Sequence, residues 1–345
     1  MTAPLNLSRR YTLVFQRSGN AQVVRTGPVD ILAIGRGQQL SSMIPIVGLL
    51  FPICPRAHQA ALLSATENAA GMTLTTAQQA ARDCAVLAEA ISSAVWRSAL
   101  SWPKLAGSAD RPQIVAQARA ASDAIEAAIF PNGWARPGTA DIKLDLKSLE
   151  DASVSLRKAV RQAISAEELM SRAPEDVRQL GNLKTPPSLG TEILDTELDP
   201  ATHAREETPR CHFSGDTNGS SLSDWFLAQE AIQRRLLDEL DFALSQLRNE
   251  KASEPSEAIS GTGIGTAITA RGRLRHIVSL SDGRIENWRS DAPTDWNFAP
   301  KGAVAKLATG LVDQEQIEVI APWLIAAYDP CAPCTAKFNA SVAHA

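Results

Sequence analysis

The sequence lacks the features of a secreted, membrane-spanning or nucleic-acid-binding protein. Five unevenly spaced cysteines in 345 residues are too few for a disulfide framework, so clustered cysteines are better explained as ligands or redox groups. The most apolar run, 43–54, contains two prolines and is far shorter than the roughly 20 residues of a transmembrane helix. The N-terminus has no apolar signal-peptide core. We expect a cytoplasmic protein that is not inserted into a membrane.

The charge balance argues against nucleic acid as a partner. The chain has 34 Lys and Arg against 38 Asp and Glu, a formal charge of −4, which leaves no basic surface for nucleic acid. With 44% hydrophobic and 21% charged residues, the composition is that of a globular protein and excludes wholesale disorder. The length is ample for a buried core.

Local patterns divide the chain into four segments. Residues 1–50 are predicted to be β-rich, with a meander over 11–35 that includes a third strand at DILAIG. Residues 51–182 are predicted to be helical, and 183–221, poor in apolar periodicity, to be a loop or linker. Residues 222–345 are predicted to hold the C-terminal helices, a β segment and a CxxC motif.

Individual elements follow from capping and periodicity. A capping box at Thr75 or Thr76 is expected to open a long helix towards Leu100, and an amphipathic helix is expected from 222 onward. Strands are expected over 261–288, with a turn at 281–284. The glycine run GTGIG that begins this segment does not open a helix after a strand, so it is interpreted as a flexible turn and not as a dinucleotide site.

The C-terminal motif pairs Cys331 with Cys334 after Asp329-Pro330. A CxxC motif is typical of a thiol redox pair, of half a zinc site, or of two thiolate ligands of another metal. This pair follows a predicted helix close to the C-terminus, a context that does not favour the redox pair.

A second motif near the N-terminus, Cys54 and His58, has i,i+4 spacing. On a helix the thiol and the imidazole lie on one face. His58 could bind a metal directly or donate a hydrogen bond to a metal-bound thiolate. Both could equally be buried side chains of an alanine-rich helix, as Cys84 is expected to be.

Two further segments, TARGRLRH (269–276) and APTDWNFAPKG (292–302), are weak signals when taken singly. Arg271, followed by glycine in a strand-rich stretch, could present its guanidinium to a buried anion. Trp296 and Asn297 could equally belong to a packed loop.

In combination and in this order, the four motifs resemble the nickel–iron hydrogenase large subunit. That family has an N-terminal CxxCxxxH and a C-terminal DPCxxCxxH, whose four thiolates hold nickel and an iron that carries CO and cyanide. The resemblance is strongest over 47–72 and 266–336. It implies an α+β, mainly α fold: a single large-subunit-like domain over 1–345, built as a long-helix bundle with small peripheral β-sheets.

The departures from the family pattern carry further implications. The resemblance makes Cys54 and Cys334 the thiolates that bridge nickel and iron, and Cys331 a terminal nickel ligand. Phe51 stands where the other terminal nickel cysteine should be, and Lys337 replaces the final histidine that marks the maturation cleavage site. The iron half of the site is kept and the nickel half is broken, so nickel is not expected.

By the same resemblance, Arg271 would contact a cyanide ligand and His58 would lie beside a bridging thiolate. A chain with these losses resembles hydrogenase accessory proteins of the HupK/HoxV type. The resemblance implies a non-enzymatic scaffold that holds the Fe(CN)2CO unit through cysteine thiolates. Its implied partners are the maturation chaperones that carry the iron unit and the hydrogenase large-subunit precursor.

Three alternatives stay open from the sequence. The first is a binding protein with structural zinc on Cys54, His58, Cys331 and Cys334, a ligand set that tetrahedral zinc accepts. The second is a cofactor-free adaptor that docks maturation proteins, and the third is a catalytic hydrogenase subunit, which Phe51 opposes. The sequence does not indicate the oligomeric state or which hydrogenase is served.

Overall fold

The computed structural model describes residues 9–27, 31–138, 140–181, 183, 186–208, 211, 221–251 and 260–339, and helices dominate this part of the chain. They are α1 (Ile31–Gly35), α2 (Leu40–Leu50), α3 (Pro55–Ala69), α4 (Thr76–Trp96), α5 (Trp102–Leu105), α6 (Pro112–Ile129), α7 (Leu146–Gln162), α8 (Ala166–Ser171), α9 (Glu175–Arg178), α10 (Leu222–Ser245), α11 (Pro293–Asn297), α12 (Ala303–Ala308) and α13 (Gln314–Tyr328). A π-helical turn, Arg97–Ser101, joins α4 to α5. None of the described helices combines the length and apolar character that crossing a bilayer requires.

The strands form two small sheets of three strands each. They are β1 (Arg10–Gln16), β2 (Ala21–Thr26), β3 (Gly261–Thr269), β4 (Gly272–Ser281), β5 (Arg284–Asp291) and β6 (Cys334–Asn339). The first sheet has the order β2-β1-β6, with β6 parallel to β1, so that Cys334 is in register with Tyr11. The second is the antiparallel meander β3-β4-β5, in which the predicted turn at 281–284 joins β4 to β5.

The N-terminal strand prediction is wrong beyond β2. Ile31–Gly35, predicted as a strand, is helix α1, and α2 follows at Leu40–Leu50. The apolar residues Leu40, Met43, Ile44 and Val47 are all buried. Their spacing of three, one and three residues is the period of a helix face and not of a strand.

Alanine-rich α3 lies directly against the second sheet, and two glycines of β3 permit this contact. A Cβ atom on Gly263 would meet the carbonyl oxygen of Ala65 at 2.0 Å, and one on Gly265 would meet that of Ala61 at 2.0 Å. The interpretation of GTGIG as a flexible turn is therefore wrong. These residues begin a regular strand. Because glycine has no side chain, the backbones of strand and helix can come into direct contact.

Several local predictions are confirmed. Thr75 and Gln78 form the capping box that opens α4, and the 24-residue helix α10 begins at Leu222 with Ser221 as its N-cap. Cys84 is fully buried within α4, as expected for a small core residue.

Within the predicted loop 183–221, the described residues carry a short 3-10 helix, Gly190–Leu194. Arg275 of β4 is fully buried, pairs with Asp291 at 2.7 Å and donates a hydrogen bond to the carbonyl oxygen of Ile193 at 2.9 Å. Trp296 is buried in a cluster with residues of the same segment, namely Leu189, Ile193 and Leu198. Asn297 exchanges two hydrogen bonds with the backbone of Glu207. The segment is thus held against β4 of the second sheet and against α11.

Candidate functional site

A cavity of about 200 Å³ lies where both sheets approach the start of α3. It is lined by Arg9, Tyr11, Leu50, Phe51, Pro52, Ile53, Cys54, His58, Ser290, Ala292, Asp295, Cys331, Ala332 and Pro333. Segments far apart in the sequence therefore meet here, and three of the predicted site residues (Cys54, His58 and Cys331) share one cavity wall.

Cys54 and His58 occupy the first turn of α3. Cys54 is the N-cap residue, Pro55 fills the first helical position, and the His58 N–H donates to the Cys54 carbonyl oxygen at 3.1 Å. Both side chains are buried. The i,i+4 spacing thus brings the thiol and the imidazole to the same cavity.

Phe51 lies against the imidazole of His58. The two ring centroids are 3.7 Å apart and the ring planes differ by 5°, a parallel stack. The phenyl ring lines the cavity and covers one face of the His58 imidazole. It contributes no atom that could bind a metal.

Arg271 reaches the same region from the turn between β3 and β4. Its backbone N–H donates to Thr269 Oγ1 at 3.1 Å, and Nη1 donates to Ser93 Oγ at 3.0 Å. Nε donates to the carbonyl oxygen of Asp329 at 2.6 Å, and Nη2 pairs with Asp329 Oδ2 at 3.1 Å. These contacts hold the guanidinium to the backbone just before the CxxC motif.

A second guanidinium shares the Asp329 carboxylate. Arg97 Nη1 is also 3.1 Å from Asp329 Oδ2, and the Arg97 side chain is only 1% exposed. Arg97 Nε has no hydrogen-bond partner in the described structure. Two buried positive charges therefore face one carboxylate, that of Asp329, which directly precedes the CxxC motif.

Burial disfavours the thiolate form of both cavity thiols. Burial raises the pKa of Cys54 well above its ordinary value, and the nearby Cys331 and Glu89 add to this. Burial also raises the pKa of Cys331. Arg271 opposes the shift at both thiols, and is thus the cation that would favour their thiolate forms.

The structure does not bring Cys334 to the cavity wall. The Cys331 N–H donates to Thr294 Oγ1 at 3.0 Å, which fixes the start of the motif, whereas Cys334 begins β6 beside Tyr11. Among the described residues, no group of three or more His, Cys, Asp or Glu side chains is arranged to hold a metal ion. The predicted three-thiolate ligand set stays a prediction, with Cys54 and Cys331 the pair that this geometry brings together.

Two groups of the site were missed in the sequence. Asp295, which also lines the cavity, accepts hydrogen bonds from Arg9 Nη1 at 2.5 Å and from the Tyr11 hydroxyl at 3.1 Å. Glu89 of α4 accepts from the backbone N–H groups of Arg56 and Ala57, at 2.9 and 3.0 Å. A carboxylate at the N-terminus of α3 complements the helix dipole, but no local pattern marks residue 89 for that position.

Glu89 leads to a stability prediction. Burial raises its pKa to about 7, against the opposing effect of its two backbone hydrogen bonds. Because the folded protein binds this proton more tightly than the unfolded chain does, its stabilising contribution is present at low pH and is lost as the pH rises through 7. From pH 5 to pH 8, wild type should lose roughly 2 kcal/mol of unfolding free energy relative to Glu89→Gln.

Urea unfolding of both proteins at several pH values checks this prediction. Glu150→Gln, an exposed carboxylate of α7, is the matched control and should follow the wild-type profile. Parallel profiles for Glu89→Gln and wild type would contradict the assignment.

Comparison with known proteins agrees with these motifs. The nickel-dependent hydrogenase family matches residues 226–337. Hydrogenase expression/formation protein HupK of Azotobacter vinelandii is 27% identical over 320 residues, which cover 90% of each chain. The uptake hydrogenase large subunit of Rubrivivax gelatinosus is 34% identical over 95 residues, 25% of this chain and 15% of that protein.

The fold agrees as well. A chain of the Ni-Fe-Se hydrogenase from D. vulgaris Hildenborough superposes with a TM-score of 0.68 at 16% identity, covering 90% of this chain and 93% of that one. These matches confirm the predicted resemblance and the mainly α, hydrogenase large-subunit-like fold. Over nine-tenths of its length the chain is similar to proteins of hydrogenase expression and formation.

Proposed function

We propose that this chain is a non-catalytic scaffold of nickel–iron hydrogenase maturation. It holds iron with its CO and cyanide ligands through cysteine thiolates, and passes this cargo to the hydrogenase large-subunit precursor. The observation that carries the proposal is the shared cavity of Cys54 and Cys331, with Arg271 acting on both thiols. Phe51, which stands at a cysteine position of the motif it resembles, lines the same cavity. The names of the HupK relatives support a role in maturation.

The donor set fits this cargo. Ferrous iron with two cyanides and one CO is neutral, so binding by two thiolates creates a doubly negative unit. Arg271 is the cation whose charge favours the thiolate form of both Cys54 and Cys331, and it would offset part of this negative charge. Guanidinium N–H groups also form charge-assisted hydrogen bonds with cyanide nitrogen. Phe51, Pro52 and Ile53 give the cavity an apolar part, against which the diatomic ligands would pack.

The same geometry opposes turnover. Nickel would need the thiolate that Phe51 replaces, and the phenyl ring fills that space against His58. A structural zinc on Cys54, His58, Cys331 and Cys334 needs all four ligands at one point. The position of Cys334 away from the cavity wall leaves that set incomplete, whereas it leaves Cys54 and Cys331 as two thiolates for iron.

Metal analysis tests the proposal. Protein purified anaerobically from cells that also make the iron-unit chaperones should contain iron and be free of nickel and zinc. About one zinc per chain, with unfolding on chelation, would instead establish the structural zinc alternative. A chain that carries no metal but retains the large-subunit precursor in a pull-down would establish the adaptor.

Phe51→Cys should create a nickel position. The substitution supplies a third thiolate near Cys54 and Cys331 and removes the ring that crowds the site. In the affinity order of divalent metals at a given site, nickel stands above iron, so we expect about one nickel per chain after anaerobic incubation with nickel, against none in wild type. Phe51→Ala is the control, since it opens the same space without a thiol. Equal nickel in both variants would contradict the assignment of this position.

A further inference from the structure

We propose that Trp288 and His276 are positioning residues that fix the tautomer of His58, so that His58 presents a permanent Nε2–H donor to the cavity. The three side chains form a buried hydrogen-bonded series that runs from β5 through β4 to α3. The tautomer follows from these contacts alone. Only the identity of the group that receives the His58 hydrogen bond rests on the proposed function.

The first step is the indole of Trp288. An indole Nε1–H can only donate, and it lies 2.8 Å from Nδ1 of His276. Nδ1 of His276 must therefore accept and carry no proton. His276 is fully buried, and burial lowers its pKa to about 3, so the ring is neutral at physiological pH. Its single proton is on Nε2.

The second step passes this assignment to His58. Nε2 of His276 is 2.9 Å from Nδ1 of His58 and 3.3 Å from Ser290 Oγ, so the shorter contact receives the His276 proton. Nδ1 of His58 thus accepts. His58 is 1% exposed, and burial lowers its pKa well below the ordinary value. The neutral ring therefore carries its proton on Nε2.

Ring contacts fix the orientation as well as the tautomer. Phe51 stacks on one face of His58 with centroids 3.7 Å apart, and His276 meets the ring edge-on at 83°. With Nδ1 turned to His276, Nε2 is the ring nitrogen left for the cavity, of which His58 and Cys54 are both lining residues. Rotation of the imidazole out of its plane would break the stack on Phe51, and a 180° flip within the plane would break the hydrogen bond from His276 to Nδ1.

The fixed tautomer decides between two roles that the spacing of Cys54 and His58 leaves open. A metal ligand needs a free lone pair, but the lone pair of His58 is on Nδ1 and is used by His276. What His58 offers to the cavity is an N–H. It is therefore a hydrogen-bond donor to a thiolate or to a ligand of the cargo, and not a member of the metal's ligand set.

Nitrogen-15 NMR of the metal-free full chain, labelled at its five histidines, tests the assignment. Long-range 15N–1H correlations show which ring nitrogen of each histidine carries the proton, and His58→Gln identifies the His58 signals. We expect a protonated Nε2 and a bare Nδ1 on both His58 and His276. A proton on Nδ1 of His58, or on both of its nitrogens at pH 7, would overturn the proposal.

Trp288→Phe tests the role of the indole. The variant keeps an aromatic ring but loses the donor, so the second tautomer of His276 and of His58 should appear as new signals. Trp134→Phe, buried in the same core cluster, is the matched control and should leave the histidine signals unchanged. Unchanged tautomers in Trp288→Phe would overturn the positioning role. If that variant does not fold, the wild-type protein supplies the test. A nitrogen–nitrogen coupling across the hydrogen bond from Trp288 Nε1 to His276 Nδ1 would support the positioning role, and its absence would overturn it.

The scaffold proposal and the tautomer proposal can be tested independently of each other. In iron-loaded protein, Trp288→Phe should shift the infrared bands of CO and cyanide without a loss of iron, because a donor to the iron's surroundings is disturbed while the thiolates remain. If wild type binds no iron at all, the scaffold proposal fails and the tautomer result still stands or falls on the metal-free spectra.

Discussion

Cys54→Ala is expected to abolish iron binding. Cys54 is the buried N-cap residue of α3, and its thiol shares the cavity with Cys331. Burial raises the pKa of this thiol, and the positive charge of Arg271 opposes that rise. Loss of groups that merely contact a metal ligand costs about 10–100-fold in metal affinity, so loss of a thiolate ligand should cost more than about 100-fold. Iron content and the infrared bands of CO and cyanide should both fall to background.

The matched control is Cys84→Ala, which removes a buried thiol from α4 away from the cavity lining. It should retain iron at the wild-type level. Cys331→Ala is expected to behave like Cys54→Ala. Wild-type iron in Cys54→Ala would show that the cavity does not hold the metal. Loss of iron in Cys334→Ala would show that the start of β6 moves towards the cavity on loading.

Gly265→Ala is expected to give the largest loss of stability. A Cβ atom there would lie 2.0 Å from the carbonyl oxygen of Ala61 and 2.3 Å from the backbone nitrogen of Ala65, both in α3. Neither backbone atom can move aside as a side chain would, so α3 must shift away from β3. Overpacking of a tight interior costs about 1–3 kcal/mol, and backbone contacts this short place the expected loss at about 3 kcal/mol or more.

The same shift should disturb the site. α3 carries Cys54 and His58, while the β3–β4 meander carries Arg271 and His276. Any protein that folds should therefore have weaker iron binding. Urea unfolding measures the stability, with Gly181→Ala as the control because a Cβ there meets only one atom, at 3.9 Å. Equal stability of Gly265→Ala and wild type would show that helix and strand are not in such close contact.

Local signals predicted the parts of the site that a single element builds. The spacing of Cys54 and His58 is a helical pattern, and α3 forms it in one turn. The turn at 281–284 likewise follows from its own residues and joins β4 to β5. Such features depend on short-range geometry that the chain specifies within a few residues.

Features that depend on distant contacts were not predictable in this way. His276 meets His58 across 218 positions of sequence, and its strand pattern gives no sign of a partner. The glycine-rich start of β3 was predicted as a turn, because glycine is common in turns. The structure shows that these glycines allow the close approach of α3, which is distant in sequence. Glu89 likewise lies on a regular helix face, and only the folded chain brings the start of α3 to it.

Infrared spectroscopy tests the central claim most directly. The full chain would be purified anaerobically with its maturation partners and compared with a sample labelled with 13C at CO and cyanide. The scaffold proposal predicts bands of metal-bound CO and cyanide that shift with the label, in protein that contains iron and no nickel. Iron-free protein without such bands, from cells in which the large subunit acquires its iron unit normally, would contradict it.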